Sequence, residues 1–338
     1  MTIPIRLLIK LFFASSLCLL ITTITSRASD NSLRSEILNL KDKIDFLEIQ
    51  FIAPATGITK EKMDLLKQVF PIDSNGMFND SIIYHAADDQ TRGNNLVRAL
   101  DGDSKYLWAI RGGLGASRLL AYIESMPKPK KQKVIIGYSD ITFLHLFVNK
   151  KWNWKSIHAS MPNGISFRNK NFTNATLLAE ILANKKGVVS YNSLKPMNKE
   201  AKNIKRVSGE LIGGNLGLIV NSMGTSWQLN AKNKILFIED ICILEDIIDR
   251  NLNHLKQAGI FKDVNAIFFG KFVYRRDVNV TLNYAIERFA NETNIPVFYS
   301  EDFGHGFNNF PLPLGFVSAI MKKDGEENFT IEIPYDFR

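Results

Sequence analysis

Cysteine is nearly absent from this 338-residue chain: only Cys18 and Cys242 occur. Two are too few for a disulfide framework. The neighbours of Cys242 include Glu239, Asp240, Glu245 and Asp246. That acidic setting disfavours a thiolate, so Cys242 reads as structural. Metal motifs are missing too: there is no His-Glu-x-x-His and no Cys-x-x-Cys, and the five histidines lack metal-ligand spacing. There is no internal repeat, and the composition excludes collagen and low-complexity chains. Charge of one sign is modest. The net +8 falls to 39 basic against 34 acidic residues once Arg6, Lys10 and Arg27 are set aside. The remainder is spread along the chain, so no nucleic-acid partner is implied. The run Pro127–Lys133 reads as a solvated loop before a strand.

One long apolar run exists, and it sits at the start. Arg6 and Lys10 precede Leu11–Ile21, and Ser26-Arg27-Ala28 resembles a small-x-small cleavage site before Ser29. Residues 1–28 therefore read as a secretory signal, too short for a comfortable membrane span. An uncleaved anchor is the alternative, and contact with a membrane is expected only in that case. The bulky Leu17 before Cys18 argues against lipid attachment. With no second such run, the rest is expected to be soluble and exported, most simply to a periplasm.

What is present is an alternation of strands and helices. Residues 29–45 read as a tether or helix. Strands are expected near 46–52, 81–85, 106–110 and 133–137, with helices over 60–70, 88–100, after Gly115 and after Asp140. This is the pattern of a parallel sheet covered on both faces. The fold class is α/β: an N-terminal doubly wound domain (46–168), a Lys- and Asn-rich linker region (169–203) and a C-terminal α/β domain (204–338), with the active site in the cleft between them. In the second domain, 209–223 reads as helical after a Gly-rich entry. Ile235–Ile238 reads as a buried strand, 244–258 as a helix, and 266–269, 296–299 and 329–333 as strands.

Several loops carry chemistry. Val134-Ile135-Ile136 runs into Gly137-Tyr138-Ser139-Asp140 and a helix. A serine there is held at the sheet's carboxyl edge, where the Asp140 N–H points toward a developing anion. The alternative is that Ser139 or Asp140 caps the helix. Arg111-Gly112-Gly113-Leu114-Gly115 is either a tight turn or an anion site with free N–H groups. Glu239 and Asp240 are expected to end a strand, facing a cleft, capping a helix or forming a surface pair. Of the histidines, His145, His158 and His254 read as structural, and His85 has no obvious partner. His305, between Gly304 and Gly306, has the setting of a mobile base. Serine, acid and histidine in this order can form a hydrolytic triad on an α/β scaffold.

These blocks, with Ala53-Pro54-Ala55, Gly213-Gly214-Asn215-Leu216 and Asp249-Arg250, resemble the LD-carboxypeptidase family of serine peptidases over residues 46–325. That family includes the muropeptide carboxypeptidases and the microcin C immunity peptidases. The resemblance implies Ser139 as nucleophile, His305 as general base and Glu239 as its orienter. It implies an oxyanion hole from the N–H groups of Gly113 and Asp140, no cofactor and no metal, and a homodimer. The implied reaction releases a terminal D-amino acid from a peptidoglycan tetrapeptide. Other readings are hydrolysis of a peptide–nucleotide conjugate and a catalytically silent muropeptide binder; the intact triad residues argue against the latter. The family usually carries Tyr at Leu114, and often Glu and Tyr at Ile243 and Asp246. These departures are expected to bear on substrate preference.

Overall fold

The computed structural model describes residues 48–68, 70–73, 84–164, 166–168, 173–274 and 284–338. The leader and tether, and most of the strand expected at 81–85, lie outside the described residues. Among the described residues no helix is long and apolar enough to cross a membrane.

The first sheet has the order β1-β2-β3-β4-β10. Strands β1 (Ile49–Ile52), β2 (Tyr106–Ala109), β3 (Val134–Gly137) and β4 (Ser156–His158) run parallel; β10 (Leu312–Leu314) pairs antiparallel with β4. The two-residue period of a strand supplies two cores. Tyr106, Trp108, Val134 and Ile136 enter one apolar cluster, while Leu107, Ala109 and Ile135 enter another. Helices α2 (Asp89–Asp101), α3 (Ala116–Glu124) and α4 (Thr142–Trp152) cover the second face, and α1 (Lys60–Lys67) covers the first.

From residue 173 on, the segment expected to be a linker is structured. It holds α5 (Thr173–Asn184), β5 (Lys186–Pro196) and α6 (Lys199–Asn203). Leu178, Ala179, Ile181 and Leu182 of α5 complete the first face of the first sheet. Strand β5 belongs to the second sheet, a closed barrel ordered β11-β12-β5-β9-β8-β7-β6. Its Lys and Asn residues hide a period of two, because alternate side chains face solvent.

The other barrel strands are β6 (Arg206–Asn215), β7 (Lys234–Ile243), β8 (Ala266–Tyr274), β9 (Val297–Gly304), β11 (Val317–Lys322) and β12 (Phe329–Asp336). Strands β6 to β9 are mutually parallel. Helices α7 (Leu216–Asn221), α8 (Glu245–Gln257) and α9 (Tyr284–Glu292) contribute to the cluster outside the barrel. The helix expected over 209–223 is thus a strand through Asn215 and a helix of only six residues. Phe237, Phe268, Phe298 and Phe303 fill the barrel. The cluster around Leu107 and Ile135 continues through Ile238 and Phe269, so the two halves share one core.

Candidate active site

Ser139 opens a 3-10 turn, Ser139–Ile141, between β3 and α4. Its φ is 61°, the left-handed region. A non-glycine residue held there costs about 1–3 kcal/mol, which the surrounding packing must offset. Such strain at a strand-to-helix turn is the geometry that presents a nucleophile. Neither Ser139 nor Asp140 caps α4, whose start makes no side-chain cap bond. The Asp140 carboxylate instead accepts the Ala116 N–H at 2.7 Å, tying the serine turn to the first residue of α3.

The glycine loop before α3 packs against this turn. A Cβ on Gly112 would lie 2.9 Å from Ser139 Cβ and 3.2 Å from its Oγ, so only glycine permits the approach. Thr56 Oγ1 accepts the Leu114 N–H at 3.0 Å and donates to Tyr84 O at 2.7 Å, fixing the far side of the loop. Buried Arg92 supports it from beneath: Nε bonds Ala87 O at 3.0 Å and Nη1 bonds Gly115 O at 3.1 Å. Nη2 pairs with Asp89 at 2.5 Å. Arg111 donates to Gly57 O at 2.9 Å and has no acidic partner among the described residues. Burial pulls its pKa, and that of Arg92, downward.

The second half of the site comes from the barrel. Glu239, on β7, is fully buried, and one carboxylate oxygen pairs with His305 Nδ1 just past β9. A Cβ on Gly304 (φ 99°) would meet Glu239 Cβ at 2.8 Å, so glycine lets the histidine's loop close over the acid. The His305 ring centroid lies 4.8 Å from that of Tyr138, beside the serine. No hydrogen bond joins His305 to Ser139 among the described residues; such contacts tighten in substrate complexes.

Asp240 faces the other way. It accepts from Asn215 Nδ2 at 2.7 Å and from the Gly217 N–H at 3.0 Å, capping α7. The strand expected to end at Ile238 runs on to Ile243, with an irregularity in register between Ile238 and Asp240; of the two acids there, one caps a helix and the other faces histidine. Burial favours neutral Glu239, but the charge of His305, the bond to it and the nearby His158 imidazole overcome this and hold its pKa low. Burial pushes Asp140 up to about 6 against the pull of Arg92, and burial with the charge of Glu239 pushes Asp240 up to about 6.

Two contributors, His158 and Asn174, carry no local sequence signal, and Tyr138 adds to the site from within the readable turn. His158, read as structural, has Nε2 3.7 Å from Glu239 Oε1. Asn174, on α5, donates to Phe307 O at 3.0 Å and accepts the Asn309 N–H at 3.1 Å, anchoring the His305 loop. Tyr138 accepts from Ser166 Oγ at 3.3 Å. Of the family departures, Leu114 is 56% exposed at the loop tip, Ile243 is buried in the core, and Asp246 pairs with Arg250 on the surface of α8. A cavity of about 380 Å³ lined by Gln50, Pro54 and Arg92 holds none of the five expected site residues. No group of three or more His, Cys, Asp or Glu among the described residues could hold a metal.

Comparison with known proteins agrees with this architecture. The family model described as the LD-carboxypeptidase N-terminal domain matches residues 49–159, and that of the C-terminal domain matches 208–320. A putative carboxypeptidase of Rickettsia conorii is 40% identical over 281 residues, 82% of this chain and 88% of that protein. A probable murein peptide carboxypeptidase of Bacillus subtilis is 27% identical over 225 residues, covering 65% and 70%. The crystal structure of muramoyltetrapeptide carboxypeptidase from Oxalobacter formigenes has the same fold, with TM-score 0.69 and 24% identity over 85% of this chain and 99% of that one. On the two family matches, the chain belongs to the LD-carboxypeptidase family and is by that membership a hydrolase with carboxypeptidase activity.

Proposed function

We propose that this protein is a serine carboxypeptidase that cleaves an L,D-peptide bond in peptidoglycan-derived tetrapeptides and releases the terminal D-amino acid. Ser139 Oγ attacks the scissile carbonyl carbon while its proton passes to His305 Nε2. The oxyanion receives the N–H groups of Gly113 and Asp140. Glu239 stabilises the imidazolium and fixes its tautomer through Nδ1. His305 then hands the proton to the leaving amine, the D-amino acid departs, and water hydrolyses the acyl-enzyme by the same route.

The observation that carries this reading is the His305–Glu239 pair set beside a strained serine turn. Arg111 supports the substrate class. A partly buried guanidinium with no acidic partner among the described residues, next to the loop that touches Ser139, is answered by the free carboxylate of a C-terminal residue.

The test is mass spectrometry of a tetrapeptide muropeptide incubated with protein lacking residues 1–28. Loss of one terminal D-amino acid is expected, and none with Ser139→Ala. An unchanged tetrapeptide under wild-type enzyme overturns the substrate assignment. The protein acts after export, as a homodimer. A reporter fused to residues 1–35 is expected to be active outside the cytoplasm, with Ser29 at the mature N-terminus; a cytoplasmic protein starting at Met1 contradicts this.

A further inference from the structure

The proposed mechanism uses one oxygen of Glu239. The other, Oε1, is buried without a hydrogen bond, and so are both ring nitrogens of His158. His158 and Glu239 are each fully buried, with Nε2 and Oε1 3.7 Å apart. That is a charge contact rather than a hydrogen bond, yet less than an ångström of movement makes it one. The His158 ring is held between Tyr138, at 5.7 Å, and Phe237, at 5.0 Å. It therefore has no solvent to answer it, and an N–H left orphaned in a dry core is rarer and costlier than an orphaned acceptor.

We propose that His158 is a positioning residue: its Nε2–H donates to Glu239 Oε1, so the carboxylate is gripped by two imidazoles and only Oε2 is left for His305. The inference rests on the Ser139–His305–Glu239 reading above. A carboxylate with both oxygens answered stays ionised in the dry interior. Without the second donor, the proton taken up in acid settles on Glu239, and His305 loses its anionic partner. Other titratable or charged groups lie on the elements packed around this pair. From the 3-10 turn and α4 come Tyr138 and His145, the latter bonded through Nε2 to Gly137 O. From β7 comes Asp240, which turns its carboxylate to α7 but feels the charge of Glu239, while the Lys271–Glu301 pair of β8 and β9, at 2.7 Å, is exposed to solvent. Among the described residues only His305 bonds the Glu239 carboxylate, and His158 is the other donor near it.

The experiment compares the pH dependence of kcat/KM for wild type, His158→Phe and His158→Gln, each checked for folding by circular dichroism. Phe keeps the ring and loses the donor; Gln keeps an N–H where Nε2 stood. With Phe the acidic limb should move up by about one pH unit, a loss of about tenfold below it, with KM nearly unchanged. Gln should return the limb to the wild-type position. A uniform loss with an unmoved limb, or a Gln variant that behaves like Phe, overturns the proposal. Nitrogen-15 NMR of histidine-labelled wild type provides an arm that needs no variant and no substrate. The His158 proton is expected on Nε2, and a proton on Nδ1 alone overturns the inference. Failure to cleave the muropeptide would sink the substrate assignment and leave this arm standing.

Discussion

The two sheets furnish the site by different means. The first contributes backbone: a serine at positive φ, a glycine loop pressed against it, and N–H groups at the starts of helices. The barrel contributes buried ionisable side chains, Glu239 and His305, whose geometry depends on distant packing. Backbone features tolerate change in surrounding side chains but fail on a change of local conformation. Side-chain pairs behave in the opposite way. The strained turn is held because Asp140 ties it to α3, and the acid is held because Gly304 lets a loop close over it.

The largest effect expected on either side is from Ser139→Ala. Turnover should fall roughly 10³- to 10⁶-fold with the fold intact. Exposed Ser117, on α3, is the internal control: activity kept by Ser139→Ala and lost by Ser117→Ala would reassign the nucleophile. On the barrel side, Glu239→Gln keeps the shape and removes the charge. A loss in kcat of roughly 10²- to 10⁴-fold is expected, with little change in KM. A variant impaired in KM alone would mean that Glu239 contacts substrate instead of His305.

Legibility in the sequence follows the same division. The Gly-Tyr-Ser-Asp turn was readable because its parts are neighbours in the chain, and strand, turn and helix signals coincide there. Glu239 and His305 were readable as candidates, one after an apolar strand run and one in a glycine-flanked loop. Their pairing is a contact across 66 residues that no spacing encodes. His158 resembled a core histidine because it is one; the register of β4 against β3 sets it opposite Gly137, beside the serine turn, and its approach to Glu239 crosses from one sheet to the other, which no spacing encodes. The supposed linker failed for a physical reason. A barrel strand with one face in water carries Lys and Asn on that face, and composition alone reads this as a loop. Asn174 was lost with it.

Smaller effects sharpen the contrast. Arg111→Gln should cut discrimination between a free C-terminal carboxylate and its amide by roughly 10- to 100-fold, leaving the amide rate nearly unchanged. Equal losses on both substrates would assign Arg111 to the loop structure. Asn174→Ala removes anchors of the His305 loop and should cost about 1–3 kcal/mol in denaturant unfolding.

Smallest is a pH effect on stability. Burial raises the folded pKa of Asp140 to about 6 from an ordinary 3.8, so the folded form binds the proton more tightly. Its contribution is present at low pH and lost as pH rises through about 6. Asp140→Asn keeps the acceptor for Ala116 and should flatten that loss, by about 1–3 kcal/mol between pH 4 and 7. Glu239 has the opposite sign: its folded pKa is held low, so its contribution is lost as pH falls.

The central claim is that the two halves meet, with the barrel's histidine activating the first sheet's serine. A fluorophosphonate probe tests it without knowledge of the natural substrate, because only an activated serine reacts quickly. Peptide mapping is expected to place the label on Ser139 in wild type and to find it absent, or formed far more slowly, in His305→Ala. Label on another serine, or equal labelling of Ser139 in both proteins, would contradict the account.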